Sequence, residues 1–146
     1  KAVLIVKIFI QQIQPHGIEL NESFSAEWSG LTQEDSVRFI APIACKASVT
    51  RVDEEVFVKI AAAGQYESFC FRCLKGLKGD WASDFDLIFD IDRQVEFVDM
   101  DEDIRQEIIL NLPERILCRE DCKGLCVDCG ANLNNQECQH AHSVGN

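Results

Sequence analysis

The sequence has 146 residues, 47% hydrophobic and 27% charged, which is the composition of one ordinary globular domain. Its longest apolar run, residues 2–6, is too short to span a bilayer, and no signal peptide is recognisable. We therefore expect neither a secreted nor a membrane protein. The formal net charge of −11 also disfavours a non-specific nucleic-acid binder, because a negative surface repels phosphates.

The acidic residues are concentrated in one segment of the chain. Residues 80–103 contain ten acids and one base, so this segment carries −9 and the rest of the chain carries only −2. The sequence therefore predicts one acidic face rather than an evenly acidic surface.

Hydrophobic patterning predicts the first elements in chain order. The apolar residues 1–10 suit a buried strand, and residues 14–36 suit loops around one or two short strands. Apolar and polar residues alternate over 37–41 and over 56–60, which is typical of two half-buried strands.

The clearest strand lies in the acidic segment. Alternation of apolar side chains with carboxylates over residues 84–92 predicts one face toward the core and one toward solvent. The carboxylates either form a solvated face that discourages edge pairing or a docking surface for a basic partner. The docking candidates are Asp84, Asp86, Asp90 and Asp92.

One helix is predicted, over about residues 99–112. Asp99 is expected as its N-cap, with Glu102 as the capping-box partner, and acids crowd its first turn. Apolar residues recur at helical spacing until Pro113, which cannot continue a helix.

These elements predict an α+β fold that is mostly antiparallel β, with one late helix and a cysteine-rich, zinc-binding C-terminal tail. We expect a β-rich part over residues 1–117, with a C-x2-C motif at residues 70–73. The tail, residues 118–146, is expected to pack on it within a single domain.

Eight cysteines are the strongest chemical feature, and five of them lie in the last 29 residues. Zinc binds four thiolate or imidazole ligands, and a C-x2-C turn places two sulfurs on one side of the ion. Glycines near such turns, here Gly76 and Gly130, permit positive φ and let backbone amides face the sulfurs. Cys45 stands apart in an apolar stretch and is expected to be a buried free thiol.

The ligands divide into two predicted sites, so we expect one or two zinc ions per chain. The first site comprises Cys126, Cys129, Cys138 and His140, with His142 as an alternative to His140. The second comprises Cys70, Cys73, Cys118 and Cys122.

Basic residues flank the second predicted site. Residues 70–79 hold three bases and no acid, and residues 115–123 hold three bases and two acids. These bases either stabilise thiolates or form a small patch that faces phosphate or RNA. The candidates are Arg72, Lys75, Lys78, Arg115, Arg119 and Lys123.

The motifs resemble one known family. Residues 70–74, CFRCL, are similar to the C-x-R-C-L hallmark of the YceD family, the large ribosomal RNA subunit accumulation proteins. The segments EIILNLP, residues 107–113, and LCREDCKGLCVDCGANLN, residues 117–134, resemble the family almost position by position. The resemblance covers roughly residues 35–140 and departs from the family at the end, where a C-x-H replaces C-x-C.

The resemblance implies a role in ribosome production through accumulation of the large-subunit ribosomal RNA, with no enzymatic activity. It implies a location in the bacterial cytoplasm, or in an organelle for a plant protein. The partners to expect are a ribosomal RNA precursor or a basic large-subunit ribosomal protein, and no membrane.

Two alternatives belong to other functional classes. A thiol redox or redox-sensing protein would use Cys70 and Cys73, but redox motifs of this kind precede a helix, and residues 74–79 contain two glycines. A metal-dependent RNA hydrolase would hold Mg²⁺ with the dense aspartates, which instead alternate along one strand.

Overall fold

The structure, a computed structural model, describes residues 6–138. This part of the chain is mostly antiparallel β with one α-helix, as predicted. The strands are β1 (Lys7–Phe9), β2 (Ile18–Phe24), β3 (Val37–Phe39), β4 (Ile43–Val52), β5 (Glu55–Phe69), β6 (Gly76–Asp90) and β7 (Phe97–Asp99). The helix is α1 (Asp101–Leu110), and two 3₁₀ helices occupy Ile10–Gln12 and Ala26–Ser29.

Strand β5 organises the main sheet. One of its edges pairs with β6 along the whole strand, from Glu55 opposite Asp90 to Phe69 opposite Gly76. Its other edge pairs first with β4 and then with the short β3, and β2 lies outside β4. The β5–β6 hairpin, with two 15-residue strands, is therefore the longest element, and residues 70–75 form its loop.

Strict alternation along β5 builds the core. Even-numbered residues from Val56 to Ser68 point inward, and Val56, Val58 and Ile60 are buried. Burying such side chains contributes roughly 1.5–3 kcal/mol each. The same alternation brings Cys70, the next even position, to full burial at the hairpin tip. The pattern that forms the core thus also directs a candidate ligand inward.

The short sheet β1–β7 sets the start of α1. Asp99 lies opposite Lys7 at the end of β7, a strand that the sequence analysis did not predict. The N-cap is Met100, which is fully buried and whose side chain accepts no capping hydrogen bond. The predicted N-cap is thus one residue too early, because Asp99 belongs to β7. Its carboxylate still accepts from the Asp101 N–H at 3.1 Å, whereas Glu102 accepts from Arg105 instead of closing a capping box.

Helix α1 packs on the core through Ile104 and Ile108, both fully buried, and ends at Leu110, before Pro113. The Trp81 indole N–H donates to the carbonyl of Asn111 at 3.0 Å, which fixes the chain leaving the helix against β6. None of the helices within residues 6–138 has the length and apolarity needed to cross a membrane.

Two strand predictions differ from the structure. Of the strand expected over residues 1–10, residues 1–5 lie outside the described range, and the remainder forms only β1 and a 3₁₀ turn. Strand β4 was not predicted, because its inward positions include the small Cys45 and Ala47 rather than a row of large apolar residues.

Candidate metal centres

Four cysteines meet at the end of the β5–β6 hairpin. This tip cluster consists of Cys70, Cys73, Cys118 and Cys122, whose sulfurs all lie within 4.8 Å of one another. The Sγ atoms of Cys70 and Cys122 are 3.6 Å apart, and those of Cys73 and Cys118 are 3.7 Å apart. A tetrahedral zinc with Zn–S bonds of about 2.3 Å places its sulfurs about 3.8 Å apart, whereas a disulfide needs about 2.05 Å. The spacing suits one tetrahedral ion.

The hairpin loop, residues 70–75 (the tip loop), is shaped around the sulfur of Cys70. The Cys70 N–H donates to the Lys75 carbonyl at 2.8 Å, and the Leu74 N–H donates back to the Cys70 carbonyl at 2.9 Å. The N–H groups of Arg72 and Cys73 point at the Cys70 sulfur, at 3.4 and 3.5 Å. Such donors stabilise a thiolate and orient it toward a metal.

Residues 126–131 (the tail loop) repeat this backbone arrangement. The Cys126 N–H donates to the Ala131 carbonyl at 2.8 Å, and the Gly130 N–H donates to the Cys126 carbonyl at 2.9 Å. The N–H groups of Asp128 and Cys129 both lie 3.4 Å from the Cys126 sulfur. The two loops therefore present their first cysteine in the same way.

Positive φ occurs at the fifth residue of each loop. Gly130 has φ +78°, as the tail sequence predicts, but Gly76 lies in β6 and is not a positive-φ residue. Leu74 takes that conformation instead, with φ +62°. The prediction for Gly76 is wrong because β6 pairing begins at Gly76 itself, opposite Phe69, and leaves the turn to Leu74.

Three further cysteines form a tail cluster. The sulfurs of Cys126, Cys129 and Cys138 lie within 4.8 Å of one another, with Cys138 at 3.5 Å from Cys126 and 3.4 Å from Cys129. The predicted fourth ligand, His140, and its alternative His142 lie outside the described residues. All eight cysteines have free thiols.

Backbone contacts bring the later cysteines to the hairpin tip. The Phe71 N–H donates to the Ile116 carbonyl at 2.8 Å, which docks the segment before Cys118 on the tip loop. The Arg72 guanidinium donates to the Cys122 carbonyl at 3.0 Å. The tip cluster thus joins ligands that are 45 to 52 residues apart in sequence.

Asn134 connects the two clusters, a role that the sequence analysis missed. It lies between Cys129 and Cys138, and its Nδ2 donates to the sulfur of Cys122 at 3.3 Å. Its Oδ1 accepts from the Lys123 N–H at 2.9 Å and from Arg119 at 2.8 Å. The only signal in the sequence is an asparagine between two cysteines, which is equally typical of a tight turn.

The thiols of the tip cluster differ in acidity. Burial raises the pKa of Cys70, but the N–H groups of Cys73, Cys118 and Arg72 and the Cys122 thiol outweigh it, lowering that pKa to about 6. The hydrogen bond from Asn134 lowers the pKa of Cys122. Burial, together with contacts to the neighbouring thiols, raises the pKa of Cys118 to about 12. Hydrogen bonds thus lower the pKa of two of the four cysteines, Cys70 and Cys122, toward the thiolate form that a metal binds.

Two cysteines outside the tip cluster show how N–H donors and burial shift a thiol pKa in opposite directions. At Cys126 burial raises the pKa, but the N–H groups of Cys129 and Asp128 and the neighbouring thiols lower it to about 7. At Cys45 burial, with a smaller effect of Glu22, raises the pKa to about 12. Cys45 is buried in the core with a free thiol, as expected.

The predicted basic residues lie on three parts of the chain near the tip cluster: the tip loop, the start of β6 and residues 115–123. Arg72 and Lys75 lie exposed in the tip loop, and Lys78 lies on β6 opposite Glu67. The Arg115 guanidinium carbon lies 5.5 Å from the centre of the Phe71 ring. The remaining two bases, Arg119 and Lys123, lie exposed beside Cys118 and Cys122, and Arg119 pairs with Asp121 at 3.2 Å.

The predicted docking carboxylates lie far from this tip. Asp84, Asp86 and Asp90 are exposed on β6, about 26 to 46 Å along the strand from its first residue at about 3.3 Å per residue. Lys59 of β5 lies directly opposite Asp86, so a positive charge stands among the carboxylates of this part of the hairpin. Asp92 follows the strand, where its carboxylate accepts from the Gln94 N–H at 2.7 Å.

Comparison with known proteins identifies the family. Residues 58–146 match the model of the YceD family, described as large ribosomal RNA subunit accumulation protein YceD. The chain belongs to the YceD family. The YceD match begins within β5 and includes every cysteine of both clusters.

Two curated relatives extend this comparison. An uncharacterized protein of Mycobacterium leprae is 32% identical over 108 residues, which cover 64% of this chain and 50% of that protein. The large ribosomal RNA subunit accumulation protein YCED homolog 1, chloroplastic, of Arabidopsis thaliana is 38% identical over 45 residues, covering 31% of this chain and 14% of that protein. The matches thus span half or less of each relative's length. No solved structure matches the chain.

Proposed function

We propose that this YceD-family chain is a non-enzymatic ribosome-biogenesis factor that supports accumulation of the large-subunit ribosomal RNA and is stabilised by structural zinc. The observation that carries the proposal is the family match over residues 58–146. A bacterial protein of this kind acts in the cytoplasm, and a plant one in an organelle.

The zinc part of the proposal is supported by the geometry of the sulfurs. Cys70, Cys73, Cys118 and Cys122 supply four thiol ligands at tetrahedral spacing, which leaves no coordination position for a substrate. Cys126, Cys129 and Cys138 supply three ligands of a second site, and His140 is the proposed fourth. Closed sites of this type contribute folding energy rather than chemistry.

The proposed partner is a precursor of the large-subunit ribosomal RNA, bound at the basic tip. Arg72, Lys75, Arg115 and Lys123 are all exposed there, so phosphates can approach them. A basic large-subunit ribosomal protein is the partner proposed for the exposed carboxylates of β6. The separation of the two charged regions along one hairpin leaves room for both.

The test of the cellular role is the ratio of large- to small-subunit ribosomal RNA in cells that lack the protein. We expect the ratio to fall, to recover with the wild-type chain or Cys45→Ala, and not to recover with Cys122→Ala. Cys45→Ala is the matched control because it removes a cysteine that belongs to neither cluster. An unchanged ratio in the depleted cells would refute the proposed role.

A thiol redox function is the second candidate, because the pKa of Cys70 is lowered to about 6 beside a sulfur 3.6 Å away. Zinc analysis of freshly purified, reduced protein separates the two candidates. Two zinc ions per chain support a structural role, whereas a metal-free protein that readily forms disulfides would favour redox chemistry.

A further inference from the structure

The tip loop exposes large apolar side chains beside its basic residues. Phe71 is 62% exposed, Leu74 is 61% exposed, and Phe69, the last residue of β5, is 50% exposed. Neighbouring exposed apolar side chains of this size typically mark a binding surface. The backbone of the tip loop does not itself require these side chains.

The tail loop shows that neither the ring nor the leucine is required, although Val127, at the position of Phe71, is itself 93% exposed. Both loops have the same hydrogen bonds to their first cysteine and positive φ at the same position. At corresponding positions the tip loop has Phe71, Arg72, Leu74 and Lys75, and the tail loop has Val127, Asp128, Gly130 and Ala131. An aromatic ring, a leucine and two bases thus replace small, neutral or acidic residues on the same backbone.

Backbone strain also concentrates at the tip. Among the described residues, the non-glycine residues with positive φ are Asp53, Leu74 and Arg115; Leu74 belongs to the tip loop and Arg115 lies over the Phe71 ring. A leucine in this conformation costs roughly 1–2 kcal/mol relative to an ordinary one, and glycine avoids that cost. Strained residues of this type recur where a ligand is held.

The chemistry of these side chains fits unpaired nucleotide bases. Proteins bind single-stranded RNA by stacking its nucleobases on aromatic rings or guanidinium planes, while arginine and lysine side chains contact the phosphates. Phe71 and Arg115 supply a ring and a guanidinium 5.5 Å apart, and Arg72 and Lys75 flank the ring. Duplex RNA keeps its bases stacked internally and cannot offer their faces to such a surface.

We propose that Phe71, with Arg115 beside its ring and the exposed Leu74 in the same loop, stacks an unpaired base of single-stranded RNA, with Arg72 and Lys75 on the adjacent phosphates. This inference rests on the proposed function and names the class of RNA, unpaired segments of the precursor, that the tip contacts. The basic side chains supply affinity, and the ring supplies the preference for single strands.

The test measures binding of a short single-stranded RNA of mixed sequence, and of its duplex, to the zinc-loaded protein by fluorescence anisotropy. We expect Phe71→Ala to weaken single-strand binding about 5- to 150-fold, the range for losing one base–aromatic stack. Leu74→Gly, which suits the positive φ, is expected to weaken it several-fold, and Phe71→Trp is expected to preserve it. Val127→Ala, at the corresponding position of the tail loop, is the matched control and should bind like the wild type.

Folding is checked in each variant by its zinc content, which an exposed ring should not affect. The inference is overturned if Phe71→Ala and Leu74→Gly bind RNA like the wild type, or if the duplex binds as tightly as the single strand. It is also overturned if Phe71→Ala loses binding of a basic ribosomal protein but not of RNA. If Phe71→Ala binds RNA as tightly as the wild type, the stacking inference fails but the proposed role in ribosomal RNA accumulation does not. If the ribosomal RNA ratio is unchanged in depleted cells, the proposed role fails, whatever the RNA-binding result.

Discussion

Removal of the Asn134 side chain tests whether the tail loop stabilises the tip cluster. Asn134→Ala deletes a donor to the Cys122 sulfur and an acceptor that holds the Lys123 N–H and Arg119. It removes no metal ligand. We expect the variant to keep both zinc ions when metal is abundant and to lose the tip ion more readily when a chelator competes.

The magnitude follows from which bonds water can replace. Lys123 and Arg119 are exposed, so solvent takes over the contacts of the lost amide oxygen at little cost. Cys122 is only 3% exposed, so its sulfur loses a donor that water does not replace. A hydrogen bond to a charged group contributes about 1.5–3 kcal/mol, or roughly 10- to 150-fold in affinity. Loss of an outer-shell partner in other metal sites costs about 10- to 100-fold, which agrees.

The assay is zinc competition against a chelator of known affinity, with the tail ion assigned from its loss in Cys138→Ser. Asn134→Asp separates the two roles, because it keeps the acceptor oxygen but replaces the donor with a second oxygen that repels the thiolate. Asn135→Ala is the matched control, since Asn135 is exposed and its hydrogen bond within residues 6–138 is a backbone one, to Asn132. Tip affinities in Asn134→Ala and Asn134→Asp equal to that of the wild type would refute the reasoning.

Three further predictions concern stability and thiol access. Leu74→Gly should raise the free energy of unfolding of the zinc-loaded protein by about 0.5–1 kcal/mol, because relief of positive φ exceeds the entropy cost of glycine; a lower urea midpoint would contradict this. Trp81→Phe should lower the free energy of unfolding by about 0.5–1.5 kcal/mol, because the indole hydrogen bond is lost while water can reach the exposed Asn111; urea unfolding measures the difference. A strong chelator should unmask the seven cysteines of the two clusters to a thiol reagent while Cys45 reacts only on unfolding; reaction of Cys45 in the folded protein would be the contrary result.

The sequence predicts strands well where large side chains alternate and poorly where small ones do. The period-two pattern of β6 matches its observed faces, with Phe85 buried and Asp86 exposed. Strand β5 continues to Phe69, but the sequence predicts it only near residues 56–60. The prediction stops there because residues 61–64 are alanines and a glycine, which have weak intrinsic preference for a strand. Pairing with β6 along its full length extends it.

The candidate metal centres likewise contain features that the sequence predicts and features that it does not. Close spacing groups Cys126 with Cys129, but no local pattern can join Cys73 to Cys118 across 45 residues, and only the ligand count suggested it. The contacts of Asn134 and the exposure of Phe71 depend on side-chain directions that composition does not encode. That residues 118–146 form a distinct tail, and that His140 is a ligand, stay predictions.

The long separation between the ligands of the tip cluster has a consequence during synthesis. Cys70 and Cys73 leave the ribosome 45 residues before Cys118, an interval of about 2–9 s at 5–20 residues per second. Throughout that interval the β5–β6 hairpin can supply only half of the ligands of the proposed zinc site. The four-cysteine cluster is therefore completed only in chains translated beyond Cys122, so a product truncated earlier would carry Phe71 on a hairpin unable to form the proposed site.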